Sequence, residues 1–209
     1  MVFNQMNLNN RKLLTGIGFM LGAMSVVPML DVMAKMLSEN YPVTQVAWFR
    51  FVFHTLWLLP LLYWRQLSWW KVPSRAGFHL LRSLMLALAT LFFFTAIKTN
   101  PIPDALTLLF ISPLVVAALA PFFLGERFDP YIGVGVLIGF VGVVIVLQPN
   151  TEEFKPTLLY ALVAGFCYAF YIITTRNLSH SGPPLLTLFY TAVVGTIVLG
   201  PMAFSVWET

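Results

Sequence analysis

Long apolar runs parted by short polar joints fill this chain from Leu13 almost to its last residue, and about twenty such residues is the length a helix needs to cross a bilayer. Charged residues make up only 10% of the 209, and the mean hydropathy is +0.83. Water could not solvate the outside of a fold built from this composition, whereas lipid could. The runs are continuously apolar. Barrel strands alternate and are about half as long, so the expected class is an all-α polytopic membrane protein. Breaks at charge, Pro and Gly predict seven spans, at residues 13–37, 43–64, 77–97, 104–124, 131–147, 157–175 and 184–206. The joints between them are too short for a soluble domain.

Lys and Arg set the orientation of such a chain. With the amino terminus in the cytoplasm, the cytoplasmic loops and helix ends carry Arg11, Lys12, Arg65, Lys71, Arg75, Arg82, Arg127 and Arg176, against Lys98 and Lys155 outside. The net charge of +4 is this topological signal and a contact for anionic lipid; it is scattered over several loops and forms no nucleic-acid-binding face. The first run follows Arg11 and Lys12 as a secretory signal would, but Pro28 and Asp31 stand where cleavage would be expected. It is read as an uncleaved span in a multi-pass protein of the inner (plasma) membrane. Cys167 is the single cysteine, which excludes an intrachain disulfide and a thiolate metal cluster. Trp69 and Trp70 read as interface anchors.

An offset of 141 positions brings the sixth and seventh spans onto the first two: Leu37 on Leu178, Ser38 on Ser179, Pro42 on Pro183, Leu58 on Leu199, Pro60 on Pro201, and Lys35 on Arg176. Five spans separate the copies, so the second starts on the opposite side of the membrane. Inverted repeats with a site near the midplane are a common architecture of secondary transporters. The expected units are residues 13–148 and 157–209.

Asp31 to Lys35, Tyr41-Pro42, Trp48 to Phe51, Arg82, Ser112-Pro113-Leu114, Leu124-Gly125-Glu126 and Gly139 to Val143 together resemble the EamA family of the drug/metabolite transporter superfamily. The resemblance covers nearly the whole chain and looks closest to the bacterial branch of riboflavin and S-adenosylmethionine uptake proteins. It implies two inverted five-helix repeats around a central cavity and movement of small organic metabolites. Against that pattern this chain ends after about seven helices, without counterparts of helices 3 to 5 in the second repeat.

Ionisable groups inside spans are costly, roughly 2.5–3.5 kcal/mol each on insertion scales, so they face a cavity or one another. Taking the first turn as centred near Asn40, Asp31 lies nine residues before it and Arg50 ten after, at similar depth. Lys35 is one turn from Asp31 and His54 one turn from Arg50. This ladder is the candidate substrate path; the alternative is a structural Asp31–Arg50 bridge with Lys35 snorkelling. A lone His is more often a packing residue than a proton relay. Tyr168 and Tyr171 carry mid-span hydroxyls and could wall the same path, while the other aromatics, Trp48, Phe51, Trp57 and Phe92 to Phe94 among them, are more often lipid contacts or core. Arg82 reads as snorkelling to cytoplasmic phosphates and Asp104 as a helix cap. Glu126 and Arg127 read as a structural or gating contact.

Pro28 and Pro113 fall within spans and suit hinges. Gly135 and Gly139 form a small-xxx-small packing pair. There is no His-Glu-x-x-His, no Gly-x-Ser-x-Gly and no phosphate-binding loop, so an enzyme, a metal site and a bound cofactor are not expected. The expected activity is secondary transport of a small organic solute by alternating access. The rivals are a non-transporting membrane scaffold, an integral-membrane enzyme and a seven-helix receptor, whose amino terminus would lie outside.

Overall fold

The computed structural model describes residues 2–67, 73–125, 130–147, 155–179 and 182–208, with side chains from residue 13 onward except at 124, 146 and 147. Lys71, Trp69, Trp70, Glu126, Arg127 and the loop 151–154 lie outside the described residues. The described residues form eight helices and no strand: α1 (Val2–Asn40), α2 (Val43–Trp64), α3 (Ala76–Thr99), α4 (Ile102–Leu109), α5 (Ile111–Leu124), α6 (Pro130–Leu147), α7 (Leu158–Asn177) and α8 (Pro184–Ser205). Counting α4 and α5 as one, six are long and apolar enough to cross a membrane, and α6 is a shorter apolar helix.

Proline opens three of these helices: Pro42, Pro101 and Pro183 stand immediately before α2, α4 and α8 with φ near −57° and ψ between 130° and 138°. The fixed φ suits helix entry, and the missing N–H is not needed there. Asp104 sits in the first turn of α4, where the helix dipole favours it. It is not the cap, because that position belongs to Pro101. Gly125 closes α5 in the left-handed conformation, φ 66°, which its lack of a Cβ permits.

The predicted fourth span is not one helix. It divides at Phe110, whose ψ opens to 3°. Pro113 supplies the cause: proline lacks an N–H and its ring collides with the carbonyl four residues back, which is Leu109. By contrast, α1 runs unbroken through Pro28.

The break lets α7 approach closely. A Cβ on Gly165 would lie 2.4 Å from Ile111 Cγ2 and 3.1 and 3.2 Å from the carbonyls of Leu109 and Leu108. Similarly, a Cβ on Gly195 would meet the Phe51 ring at 2.4 Å, so α8 rests directly on α2. Gly139 abuts Leu114, whereas Gly135 faces open space, so only one glycine of the expected pair makes a close contact.

Contacts fix the helix directions. Arg82, early in α3, meets Thr175 late in α7, and Asn100, just after α3, meets Thr157, just before α7; these two helices are antiparallel. Lys35 reaches Asn100, so α1 and α3 end together. Gln45 and Trp48, early in α2, meet Glu208, just after α8, and Thr196, in its second half. The pair α7–α8 therefore runs opposite to α1–α2. Thr55 and Thr196, equivalent under the offset of 141, lie 3.5 Å apart by their hydroxyls. Contact between equivalent positions is what a two-fold axis passing between α2 and α8 would require.

The main core joins Ala34, Ala47, Phe51, Phe94, Ile97, Leu108, Ala161 and Leu199, drawing on α1, α2, α3, α4, α7 and α8. The outside is as apolar as the inside: Trp57 is 78% exposed, Phe122 82% and Tyr63 84%. Every side chain from Leu13 to Leu30 is exposed, and among the described side chains of α1 only Asp31, Ala34 and Ser38 are buried, three and four residues apart on one face. A surface of this kind belongs in lipid.

Replacing Gly165 by Val should destabilise the detergent-purified protein by about 1–3 kcal/mol or more, as overpacking does, while Gly135→Ala should leave its melting temperature unchanged. Equal effects of the two would show that α7 does not approach α4 and α5 as described.

Candidate functional site

Three polar positions divide α3 and the residue that follows it. Thr90 lies eight residues after Arg82 and ten before Asn100, about 12 and 15 Å along the axis. The ends tie helices together, and the middle meets the candidate site.

At the middle, Arg50 of α2 donates from Nη1 to Thr90 Oγ1, 2.9 Å away. Its guanidinium carbon lies 5.9 Å from the centroid of Phe51 and 5.6 Å from that of Phe94, both 1% exposed. Ring faces at this distance stabilise a cation without occupying its N–H groups. Gly195 makes room for Phe51 beneath it. Asp31 of α1 is 7% exposed and is an electrostatic neighbour of Arg50. Among the described residues, however, no ion pair within 4.0 Å joins the two. Tyr168 and Tyr171 of α7 stack at 5.4 Å with 25° between planes, and both feel the Arg50 charge. His54 lies in the field of Arg50 and of Arg82. Asp31, Arg50, His54, Tyr168 and Tyr171 thus share one region, reached from α1, α2 and α7.

Lys35 belongs to another contact. Its Nζ donates to the Asn100 carbonyl at 2.6 Å, and the Asn100 side-chain amide donates to Thr157 Oγ1 at 2.8 Å, fastening α1, α3 and α7 at one end.

At the opposite end, Arg82 departs from the sequence reading. It does not snorkel; it is 2% exposed. Nε donates to Thr175 Oγ1 at 2.7 Å, Nη1 donates to the Thr187 carbonyl at 3.0 Å and to Thr191 Oγ1, and Nη2 donates to Tyr171 OH at 3.0 Å. The Tyr171 ring also lies 4.6 Å from the guanidinium carbon. Four of the five N–H donors are therefore satisfied, and α3 is bound to α7 and α8 by neutral oxygens alone. The partners are Thr and Tyr, which no charge pattern reveals. His79, one turn earlier, is 5% exposed, meets Tyr190 edge-on at 5.5 Å, and leaves Nδ1 buried without a hydrogen bond. Trp48, which the sequence offered chiefly as a lipid contact or core residue, braces α8 by donating from Nε1 to the Thr196 carbonyl at 3.0 Å.

A half-open apolar groove of about 500 Å³ lies at the α1–α2 turn, among Tyr41, Gln45, Phe49, Phe53 and Trp207. Gln45 closes its floor by exchanging hydrogen bonds of 3.0 and 3.3 Å with the Glu208 backbone.

Helices of spanning length, lipid-suited surfaces and oppositely directed helix pairs define a polytopic membrane protein. The chain belongs to the EamA-like transporter family, which matches residues 14–148. It is 33% identical over 196 residues to the S-adenosylmethionine uptake transporter of Rickettsia felis, covering 94% of this chain and 66% of that protein. It is 27% identical over 179 residues to the pseudopaline exporter of Pseudomonas aeruginosa, covering 84% and 62%. It is 26% identical over 168 residues to the riboflavin transporter of Vibrio cholerae, covering 80% and 56%. The chain thus spans about 66% of the length of the first of these relatives. No solved structure matches.

Thr191→Val removes one acceptor from a buried guanidinium and should cost about 1–3 kcal/mol. Tyr171→Phe keeps the ring and loses only the hydroxyl, so it should melt above Tyr171→Leu, which loses both. Thermal melting of the purified variants checks the order.

Proposed function

We propose that this protein takes up a small organic metabolite across the inner membrane by alternating access, with S-adenosylmethionine as the first solute to test. The observation that carries the reading is the gathering of Asp31, Arg50, His54, Tyr168 and Tyr171 among apolar helices of spanning length, around an Arg50 whose guanidinium hydrogen-bonds to Thr90 and otherwise lies against ring faces. Such groups are costly in lipid and are kept where they serve a path. The relatives named for S-adenosylmethionine uptake supply the candidate solute and the direction. A scaffold would have no use for charges at this depth.

In this reading Asp31, Arg50, His54, Tyr168 and Tyr171 line the translocation path, and Lys35 borders it at the Asn100 end. Residues 13–148 and 157–209 are inverted repeats related through the α2–α8 contact. Pro113, at the α4–α5 break, is the better-supported hinge, and Pro28 is a second point of bending. The amino terminus is cytoplasmic, as is the end that carries Arg65, Arg75 and Arg176; taking Arg82 out of that set, since it is buried, leaves the excess of basic residues on the same side.

Proteoliposomes carrying the full chain should accumulate radiolabelled S-adenosylmethionine above empty vesicles, and Arg50→Lys should change the half-saturating concentration without lowering the amount of folded protein. Failure of the unaltered protein to take up the label would remove this solute.

Orientation is checked in a Cys167→Ser background. A Gln66→Cys variant should react with an impermeant maleimide only after cells are opened, and Lys155→Cys should react in intact cells; the reverse pattern would invert the topology.

A further inference from the structure

Arg50 and Arg82 are both arginines among apolar helices, yet their hydrogen bonding differs. Arg82 has four of its five donors satisfied. Among the described residues Arg50 makes a single hydrogen bond, to Thr90. Its charge is supported by the rings of Phe51 and Phe94, which leave the remaining N–H groups without a described acceptor. Asp31 is more than nine-tenths buried and accepts no hydrogen bond from a described residue. Lys35, its neighbour on α1, directs Nζ to the Asn100 carbonyl instead. The two opposite charges are close enough to feel each other but are not joined. A structural brace would be a closed pair, because a buried charge without its partner is expensive.

Complementary charges carried on one small molecule would satisfy both. The guanidinium fork matches a carboxylate with two parallel hydrogen bonds, and the Asp31 carboxylate matches an ammonium. Beside them the stacked rings of Tyr168 and Tyr171 offer a flat, half-buried wall. The Tyr171 hydroxyl is engaged by Arg82, whereas the Tyr168 hydroxyl has no hydrogen-bond partner among the described residues.

We propose that Asp31 and Arg50 form a clamp for a zwitterionic α-amino-acid head group, Arg50 taking the carboxylate and Asp31 the ammonium, while Tyr168 meets a planar portion of the same solute. The proposal rests on the transporter reading and narrows its substrate class to amino acids and their conjugates. Arg82 is outside the clamp; it holds Tyr171 in place from behind.

The experiment is a binding series read by thermal shift on the purified, unaltered full chain, so that misfolding of a variant cannot decide it. The probes are S-adenosyl-L-homocysteine, decarboxylated S-adenosylmethionine, 5′-methylthioadenosine and L-methionine. The clamp requires that S-adenosyl-L-homocysteine bind at least about tenfold more tightly than the two compounds lacking the carboxylate, the loss expected for a charge-assisted hydrogen-bonded contact. In Arg50→Lys that advantage should shrink while 5′-methylthioadenosine is unaffected. If 5′-methylthioadenosine binds as well as S-adenosyl-L-homocysteine, or if no probe with the amino-acid head binds, the clamp is overturned. If L-methionine binds through Arg50 and none of the adenosyl compounds does, the clamp stands and the S-adenosylmethionine reading falls, which separates the two failures.

Discussion

A guanidinium buried without a carboxylate holds this bundle together at one end. Arg82 joins α3 to α7 and α8, which come from opposite ends of the sequence, through three hydroxyls, one carbonyl and a tyrosine ring. Placing that charge among apolar helices is costly, and the cost is offset only because the donors find oxygens at fixed positions. Thr175 and Thr191 provide two of those oxygens while their own hydroxyls donate four residues back along their helices, at 2.6 and 2.9 Å. The receiving groups are thereby oriented before Arg82 arrives.

The opposite end is fastened differently. There the Asn100 carbonyl accepts from Lys35 and the Asn100 amide donates to Thr157, so α1, α3 and α7 meet around one residue that is 1% exposed. Between the two ties, α7 lies close to the broken helix because Gly165 has no side chain, and α8 lies close to α2 because Gly195 has none. Backbones that approach this closely gain packing contacts that long side chains would forbid. The ties and the close approaches together set the depth at which Tyr168, Tyr171 and Arg50 face one another.

The two buried arginines show how neighbours decide a role. Arg82 has four of its five donors met by oxygens and acts as a fastener. Arg50 is steadied by ring faces, which stabilise charge without taking hydrogen bonds, so its fork keeps its binding capacity. Tyr171 touches both worlds, since its hydroxyl and ring engage Arg82 while it stacks on Tyr168. A change at the Tyr168–Tyr171 stack therefore has a direct mechanical route to the α3–α7–α8 tie.

The class of the protein and the position of nearly every helix were legible in the chain, because hydropathy over twenty residues is a local quantity; depth counted from a turn put Asp31 and Arg50 at a similar level but not in contact. The offset of 141 also makes Thr55 and Thr196 equivalent, but only the structure shows that their hydroxyls meet. Only the tertiary structure decided that Lys35 bonds to Asn100, that Arg82 is a buried fastener, and that Asp31 and Arg50 stand apart. Each of those outcomes depends on which neutral oxygen or ring from a distant helix arrives beside the charge, and threonines, carbonyls and phenylalanines occur everywhere in such a sequence. The break at Phe110 lies between the two cases: Pro113 made a disturbance four residues upstream a local necessity, but the close fit of Gly165 against the carbonyls of Leu108 and Leu109 belongs to the packing of one helix on another.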